Sequence, residues 1–218
     1  MPVFCVISAG DPLVMAKTVA LCKEYNIKVG AHPGLPDVQG FGRRPMTLSL
    51  QEHTANVIYQ IGALKAFLDR EGVELHHVKP HGALYGSMIR DLDIARAVWA
   101  AVPKGVSVIG LAGTHMETAA EEAGLKFWAE YFGDVKYNDD GTLIIDREKK
   151  PWEPDEVKAH VHQQIYDSQV TSVTGKVIDI PIKDYPITLC CHSDSPGCIE
   201  IVKASREVVD EYNRSQGF

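Results

Sequence analysis

Residues 76–111 read HHVKPHGALYGSMIRDLDIARAVWAAVPKGVSVIGL, and this stretch decides the fold class. The run 76–79 predicts a short strand, 91–102 predicts a helix, and 106–111, rich in β-branched residues, predicts a second strand. Two strands that are joined through a helix lie parallel, because the crossover returns the chain to the same edge of the sheet. The stretch therefore predicts a parallel α/β sheet.

The same alternation of strand and helix continues on both sides of this stretch. Further strands are predicted at 3–7, 27–30, 126–132, 143–145, 177–180 and 187–190. Further helices are predicted to begin at Asp11–Pro12 and to cover 50–70, 117–123, 154–168 and 197–214. The chain has no dinucleotide-binding or Walker A pattern, no internal repeat and no linker. We expect one domain over residues 1–218, built as a β/α barrel or as an open doubly wound sheet.

The composition sets limits on the class of protein. The chain has 218 residues, 45% of them hydrophobic and 23% charged, which is typical of a soluble globular domain. A net charge of -7 argues against a nucleic-acid partner, and no apolar run is long enough to span a membrane. Five cysteines, an odd number without zinc spacing, indicate thiols in a reducing compartment. We expect a cytoplasmic protein.

Polar residues follow most of the predicted strands directly. The carboxyl ends of parallel strands share one face, so these residues are expected to converge in one site. Such regular placement favours an enzyme over a structural protein. The clusters are Ser8–Asp11, Ala31–Gly34, Lys79–Gly82, Ala112–His115, Glu130 and His192–Asp194.

Three of the nine histidines stand out by position. His32, His81 and His192 each follow a predicted strand beside glycine, proline or aspartate, whereas the histidines within helices or at a strand start are interpreted as structural. Imidazole titrates near neutral pH and could act in acid/base catalysis, and it is also a common metal ligand. Both chemistries stay open, and no local zinc-binding spacing favours the metal. The candidate metal ligands are Asp11, His32, His81 and Asp194.

Cationic side chains accompany these histidines. Lys79 precedes a proline, which keeps its backbone extended and directs the ammonium group toward the site, although a surface lysine is the alternative. Arg43 and Arg44 lie in the long irregular segment 34–46 and could bind a carboxylate or a phosphate. For Arg44, a solvated position that caps the following helix is an equal alternative.

Six sequence blocks resemble the LamB/YcsF family. Residues 30–46, GAHPGLPDVQGFGRRPM, are similar to the central signature of that family. The blocks 59–64, 78–85, 110–114, 130–143 and 191–194 follow in the order of the family's later blocks. The resemblance covers nearly the whole chain.

The resemblance implies a fold and an activity. The implied fold is an irregular seven-stranded β/α barrel of the glycoside hydrolase/deacetylase type, a superfamily associated with carbohydrate metabolism. The implied activity is that of the A subunit of an ATP-dependent 5-oxoprolinase, which opens 5-oxoproline to glutamate together with the B and C subunits. ATP would be shared with these partner subunits, and the fungal branch is named for lactam utilisation. A homo-oligomer stays open.

The chain departs from the family pattern at three places. The family's first strand, with its Asp-Leu-Asn-x-Asp-x-Gly-Glu motif, is absent from the sequence, so either the barrel lacks this strand or the strand lies upstream. Ser8 stands where the family has a histidine, and Val135 stands where it has an arginine. These departures make a degenerate, non-catalytic paralogue one alternative to an active enzyme.

Three hypotheses of function follow. The first is a 5-oxoprolinase-like hydrolase in which Asp11 or His81 activates water while Lys79, Arg43 and His192 hold an anionic substrate or an oxyanion. The second is a metal-dependent deacetylase-like hydrolase, and the third is the non-catalytic paralogue. In the first hypothesis the catalytic residues are Asp11, Lys79 and His81, and the substrate-binding residues are His32, Arg43, Arg44, Tyr85, Glu130, His192 and Asp194.

Overall fold

The computed structural model describes residues 3–5, 11–144, 149–182 and 184–217. The chain divides into two compact units, Met1–Trp128 and Ala129–Phe218. Each unit is an assembly of strands and helices. The prediction of one domain over 1–218 stays a prediction.

The first unit is a parallel sheet with helices between its strands. The sheet order is β1-β2-β3-β4, and Val108 of β4 donates a backbone hydrogen bond of 2.9 Å to Lys126, just before β5. The parallel sheet predicted from residues 76–111 is thereby confirmed. The elements are β1 (Val3–Cys5), α1 (Pro12–Glu24), β2 (Val29–Ala31), α2 (Leu50–Glu71), β3 (Leu75–Val78), α3 (Gly82–Arg90), α4 (Leu92–Trp99), β4 (Ser107–Gly110) and α5 (His115–Glu122).

Helix α2 shows how the sequence builds this unit. Ser49 and Glu52 form a reciprocal capping box at its start, and Gly72 ends it in the left-handed conformation. The apolar residues at helical spacing are buried along one face: Val57, Ile61, Leu64 and Leu68. Strands β2 and β4 are buried at every residue, as is typical of parallel strands in an α/β sheet.

The second unit combines one parallel strand pair with two small antiparallel pairs. Strand β5 begins in the first unit, and its residues from Ala129 onward pair in parallel with β10. The antiparallel pairs are β6 with β7 and β8 with β9, and helices α6 and α7 pack together. The elements are β5 (Phe127–Phe132), β6 (Lys136–Tyr137), β7 (Leu143–Ile144), α6 (Pro154–Asp167), β8 (Gln169–Thr171), β9 (Val177–Asp179), β10 (Ile187–Cys190) and α7 (Cys198–Ser215).

Three elements differ from the sequence prediction. Helix α3 follows His81 directly, where only a turn was predicted, because Leu84, Tyr85 and Met88 supply a buried helical face. Strands β6 and β8 were not predicted, since two or three residues are too few to show alternation. Residues 6–7 and 145 of predicted strands, and Ser8, lie outside the described residues.

No helix in the described part of the chain is long and apolar enough to cross a membrane.

Candidate functional site

Two histidines meet where β2 and β3 end. The pairing of these parallel strands continues past their last residues, because Lys79 donates a backbone hydrogen bond to Ala31 at 2.9 Å and His81 donates one to Pro33 at 2.8 Å. This register sets His32 beside His81 although 49 positions separate them. The structure therefore brings together His32 and His81, two of the residues that were predicted from their position after a strand.

The imidazole rings of His32 and His81 form a hydrogen-bonded chain. His32 Nδ1 lies 2.6 Å from the Lys79 carbonyl oxygen, and His81 Nε2 lies 2.7 Å from the Phe41 carbonyl oxygen. A carbonyl only accepts, so each outer nitrogen carries a hydrogen. The inner nitrogens, His32 Nε2 and His81 Nδ1, are 3.1 Å apart, and a hydrogen bond between them requires one additional shared proton. With that proton present, the bonded pair would carry one positive charge.

The segment between β2 and α2 supplies the carbonyl group that fixes His81. Asp37 organises this segment, since its buried carboxylate accepts hydrogen bonds from the backbone of Gly40 at 3.0 Å and from the Arg44 guanidinium. These contacts lower the pKa of Asp37 to about 2, the bond from Arg44 having the largest effect. Phe41 and Gly42 adopt positive φ angles, and Gly42 accepts a 3.0 Å backbone hydrogen bond from Ala83. The loop is thereby joined to the start of α3.

A buried glutamine of α2 holds the other end of the same segment. Gln60 Nε2 donates to the Gly34 carbonyl at 2.7 Å, and Gln60 Oε1 accepts from the Gly34 backbone amide at 3.0 Å. Both main-chain groups of one residue are thus satisfied by one side-chain amide. The contact fixes the chain just after His32.

Three further predicted residues lie around the histidine pair in the first unit. Lys79 is only 3% exposed, and Tyr85 is buried in the first turns of α3. The Arg43 guanidinium lies over the Phe41 ring, 5.1 Å from its centroid. Lys79 and Arg43 bring two cationic side chains to the strand end that holds the histidine pair, which suits an anionic ligand.

The structure places two other predicted residues in local roles. Asp11 Oδ1 accepts backbone hydrogen bonds from Leu13 at 2.8 Å and Val14 at 2.9 Å, and so caps α1. The Arg44 guanidinium bonds to Asp37 within the loop. Their assignments to catalysis and substrate binding stay predictions.

The described residues contain no group of three or more His, Cys, Asp or Glu side chains that could hold a metal ion. Within them, His32 and His81 supply two neighbouring nitrogen donors. A stable protein metal site ordinarily has more protein ligands than two.

A second histidine arrangement lies in the second unit, where β5 and β10 end. Gly133 donates a 2.9 Å backbone hydrogen bond to Cys190, which continues the strand pairing and sets Asp134 beside His192. Asp134 Oδ1 lies 2.8 Å from His192 Nδ1, and Asp134 Oδ2 accepts from the His192 backbone amide at 3.1 Å. Ser195 donates a short hydrogen bond to the same carboxylate. The His192 ring also lies parallel to Phe132, with an interplanar angle of 11°.

The Asp134 carboxylate stays ionised in this environment. Burial alone would raise its pKa, but hydrogen bonds from the His192 ring, the Ser195 hydroxyl and the His192 backbone hold the pKa below its usual value. An ionised carboxylate accepts only, so the His192 hydrogen lies on Nδ1.

The remaining predicted residues of the second unit are Asp194 and Glu130. Lys149 Nζ contacts Asp194 Oδ1 at 2.8 Å and Ser195 Oγ at 3.0 Å. Glu130 is 1% exposed within β5, in register with Thr188 of β10. Gln164 of α6 donates to the Phe132 carbonyl at 3.0 Å and accepts from the Phe132 backbone amide at 3.2 Å.

Five residues of these arrangements were not predicted from the sequence. Asp134 could have been found, because it follows a predicted strand by two residues, the same signal that identified the histidines. Gln60 and Gln164 could have been found because each is a glutamine on the apolar face of a predicted helix. The five are Asp37, Gln60, Asp134, Gln164 and Ser195.

Comparisons with known proteins agree on one family. The sequence profile of the LamB/YcsF family matches residues 2–216. The lactam utilization protein lamB of Emericella nidulans is 61% identical over 214 residues, covering 98% of this chain and 85% of that protein. The A subunit of 5-oxoprolinase from Pyrococcus horikoshii is 42% identical over 210 residues, covering 93% of this chain and 80% of that protein.

A solved structure supports the same assignment. The crystal structure of the lactam utilization protein from Thermus thermophilus superposes with a TM-score of 0.84 at 38% sequence identity. It covers 96% of this chain, and this chain covers 84% of it. Profile, sequence and fold thus agree over nearly the whole chain, and the chain belongs to the LamB/YcsF family.

Proposed function

We propose that this chain is the lactam-binding subunit of an ATP-dependent hydrolase that opens 5-oxoproline, or a related lactam, to the amino acid. Relatives named as the A subunit of 5-oxoprolinase and as a lactam utilization protein support the lactam as the substrate class. Partner proteins similar to the B and C subunits would complete the enzyme, in keeping with the word subunit in the name of the relative. The proposal includes a cytoplasmic location and the irregular seven-stranded β/α barrel of the deacetylase type.

The observation that carries this proposal is the contact between His32 and His81, whose inner nitrogens lie 3.1 Å apart and can share a proton. The pair lies at the ends of β2 and β3, where α/β proteins place their ligands. The buried Lys79 is in contact with the pair through its own carbonyl group. A cationic, largely buried strand end is complementary to the carboxylate of 5-oxoproline and to the negative charge that develops on an attacked amide oxygen.

The residues of this strand end have distinct tasks in the proposed reaction. A secondary amide resists attack by water, and phosphorylation of its oxygen at the expense of ATP would make the ring carbon more electrophilic. Lys79 and Arg43 would hold the carboxylate or the phosphoryl group, which match an ammonium and a guanidinium. His81, with its Nε2 hydrogen fixed by Phe41, would exchange the shared proton through Nδ1.

The test is glutamate release by this chain with proteins similar to the B and C subunits. We expect release to require both ATP and 5-oxoproline. Lys79→Ala and His81→Ala should each lower kcat/KM by about 100-fold or more, because each removes a charge or a proton-transfer group from the site. Coupled assays of glutamate and ADP provide the measurement.

A lysine elsewhere in the first unit provides the control. Lys65 lies on the exposed face of α2 and pairs with Asp69 at 2.9 Å, so Lys65→Ala should retain full activity. Full activity of the Lys79→Ala or His81→Ala protein would refute the assigned roles. A chain that binds the partner proteins but never releases glutamate, with any lactam, would instead establish the non-catalytic alternative.

A further inference from the structure

We infer that His192 is a proton-transfer residue in its own right, with Nε2 as its reactive atom and Asp134 and Ser195 as its positioning residues. The sequence left acid/base catalysis open for His192 and assigned it to substrate binding in the first hypothesis. The inference deepens the proposed function, since lactam hydrolysis is the reaction in which His192 would act. The contacts that orient the His192 ring all lie in the second unit.

The imidazole ring of His192 is held in one orientation. Asp134 binds both the ring nitrogen Nδ1, at 2.8 Å, and the backbone amide of His192, at 3.1 Å. Phe132 lies parallel to the ring on one side. A histidine that only occupied space at a strand end would not need its main chain and side chain bound by one carboxylate. This arrangement is the one that orients catalytic imidazoles in proteins.

The two partners of this dyad differ in their exposure to solvent. The Asp134 side chain is 0% exposed, whereas the His192 side chain is 26% exposed. In the described part of the chain, Nε2 of His192 has no hydrogen-bonding partner. With the hydrogen held on Nδ1, the neutral ring presents a lone pair at Nε2 to any molecule bound there.

Ser195 supports the carboxylate and does not contact the reactive nitrogen. Its hydroxyl donates to Asp134 and lies 3.0 Å from the ammonium group of Lys149, so its hydrogen points at the carboxylate rather than at the imidazole. Ser195 is therefore not a nucleophile activated by His192, and a Ser–His–Asp triad does not fit. Its bond instead adds to the groups that keep Asp134 ionised and in place.

The charged groups around the dyad favour a proton that moves through Nε2. Asp134 faces Nδ1, and Lys149 is paired with Asp194 while it contacts Ser195. The negative carboxylate stabilises the imidazolium that forms when Nε2 accepts a proton. The positive charge of Lys149 therefore offsets the negative charge of Asp194 rather than that of Asp134.

His192 takes up one proton and returns it during the reaction. As the water oxygen bonds to the ring carbon of the O-phosphorylated lactam, one water proton passes to His192 Nε2 and the π electrons of the carbon–nitrogen double bond move onto nitrogen. When the remaining carbon–nitrogen bond breaks, its electron pair stays on nitrogen, Nε2–H returns the proton to it, and the hydroxyl oxygen becomes the carbonyl oxygen as its proton leaves to solvent. A second water then hydrolyses the resulting acyl phosphate to carboxylate and phosphate, His192 ends neutral, and Asp134 keeps its charge throughout.

The geometric part is tested by ¹⁵N NMR of the ring nitrogens in the free protein. We expect neutral His192 to carry its hydrogen on Nδ1. Asp134→Asn should shift the ring toward the Nε2–H form, because an amide can donate to Nδ1. A wild-type ring with its hydrogen on Nε2, or an unchanged signal in Asp134→Asn, would overturn the dyad whatever the enzyme does.

The catalytic part is tested in the reconstituted enzyme with 5-oxoproline. His192→Gln should lower kcat about 100-fold or more with KM changed only a few-fold, and added imidazole should restore part of the activity of His192→Ala. His162→Gln, at an exposed position of α6, is the matched control and should keep wild-type kcat. A raised KM at unchanged kcat would show substrate binding instead and refute the inference. An enzyme inactive even as wild type would refute the proposed function while the NMR result stands.

Discussion

The two strand-end histidine arrangements use different partners to fix an imidazole. In the first unit, main-chain carbonyls of Lys79 and Phe41 hold the outer nitrogens, so the pair depends on loop conformation. In the second unit, the buried carboxylate of Asp134 holds His192. A carbonyl carries no full charge, whereas a carboxylate stabilises an imidazolium. The difference shows that the ends of parallel strands can fix an imidazole either through neutral main-chain carbonyls or through a buried carboxylate.

The two arrangements nevertheless share one supporting contact. In each unit a buried helix glutamine binds both main-chain groups of a single residue near the end of a strand. Gln60 binds Gly34, two residues after His32, and Gln164 binds Phe132, two residues before Asp134. Gln164 makes additional contacts, since its Oε1 also accepts from the Tyr137 hydroxyl at 3.1 Å.

Replacing these glutamines should have the largest effect on stability. Gln164→Leu removes one hydrogen bond each from the Phe132 amide, the Phe132 carbonyl and the Tyr137 hydroxyl, and at roughly 1–3 kcal/mol for each such group we expect a loss of about 4 kcal/mol. Gln60→Leu leaves the Gly34 amide and carbonyl without the side-chain amide that binds them, and the free energy of unfolding should fall by about 3 kcal/mol. Urea unfolding measures both values.

Another glutamine of α2, Gln51, provides the control for these two substitutions. Gln51 is exposed, so Gln51→Leu should change the free energy of unfolding by less than about 0.5 kcal/mol. Losses at Gln60 and Gln164 no greater than this would mean that the two amide contacts do not support the strand ends.

A smaller effect is expected where the loop meets α3. Gly82 has a φ angle of 55°, and an added Cβ would lie 2.7 Å from the Gly42 carbonyl oxygen. Gly82→Ala should therefore cost about 1–3 kcal/mol and displace His81 from Phe41. Chemical denaturation and the NMR signals of the His81 ring measure the two consequences.

Gly86 in the same helix provides the matched control. A Cβ there would meet only the Arg90 side chain, at 3.4 Å, so Gly86→Ala should be neutral or stabilising by up to about 1 kcal/mol. Equal effects of the two substitutions would contradict a specific requirement for glycine at position 82.

The last predicted effect is a change of stability with pH, and it comes from a buried histidine that neither arrangement uses. Burial, followed by the nearby His76 and Lys79, lowers the pKa of His77 to about 3. Between about pH 6.5 and pH 3 the unfolded chain binds this proton and the folded chain does not, so the protein loses stability as the pH falls through that window. The contribution is at most about 1.4 kcal/mol per pH unit, and His77→Gln should remove it.

Urea unfolding at a series of pH values measures this slope. His162→Gln, which changes an exposed histidine, is the control for the loss of a titrating group in general. A slope in the His77→Gln protein identical to wild type would show that other groups govern the acid sensitivity.

The sequence predicted the architecture and the strand-end positions better than the partners of each side chain. Alternation of strand and helix was enough for the parallel sheet, and the rule for strand ends identified His32, His81 and His192. The Phe41 carbonyl could not be predicted, because its position depends on two successive positive φ angles in an irregular loop. Asp134 obeys the same rule, but the sequence alone does not show that its carboxylate, rather than Asp194, contacts His192.

The carbonyl group that fixes His81 has a consequence for how this site tolerates mutation. The acceptor belongs to the main chain at position 41, so no exchange of the Phe41 side chain deletes it, provided the loop keeps its path. Residue 41 has a φ angle of 56°, which glycine adopts without strain. The identity of the amino acid at this position can therefore drift while the proton on His81 Nε2 stays where it is. The first histidine pair thus depends on the Phe41 carbonyl oxygen, a main-chain atom that no list of functional side chains would contain.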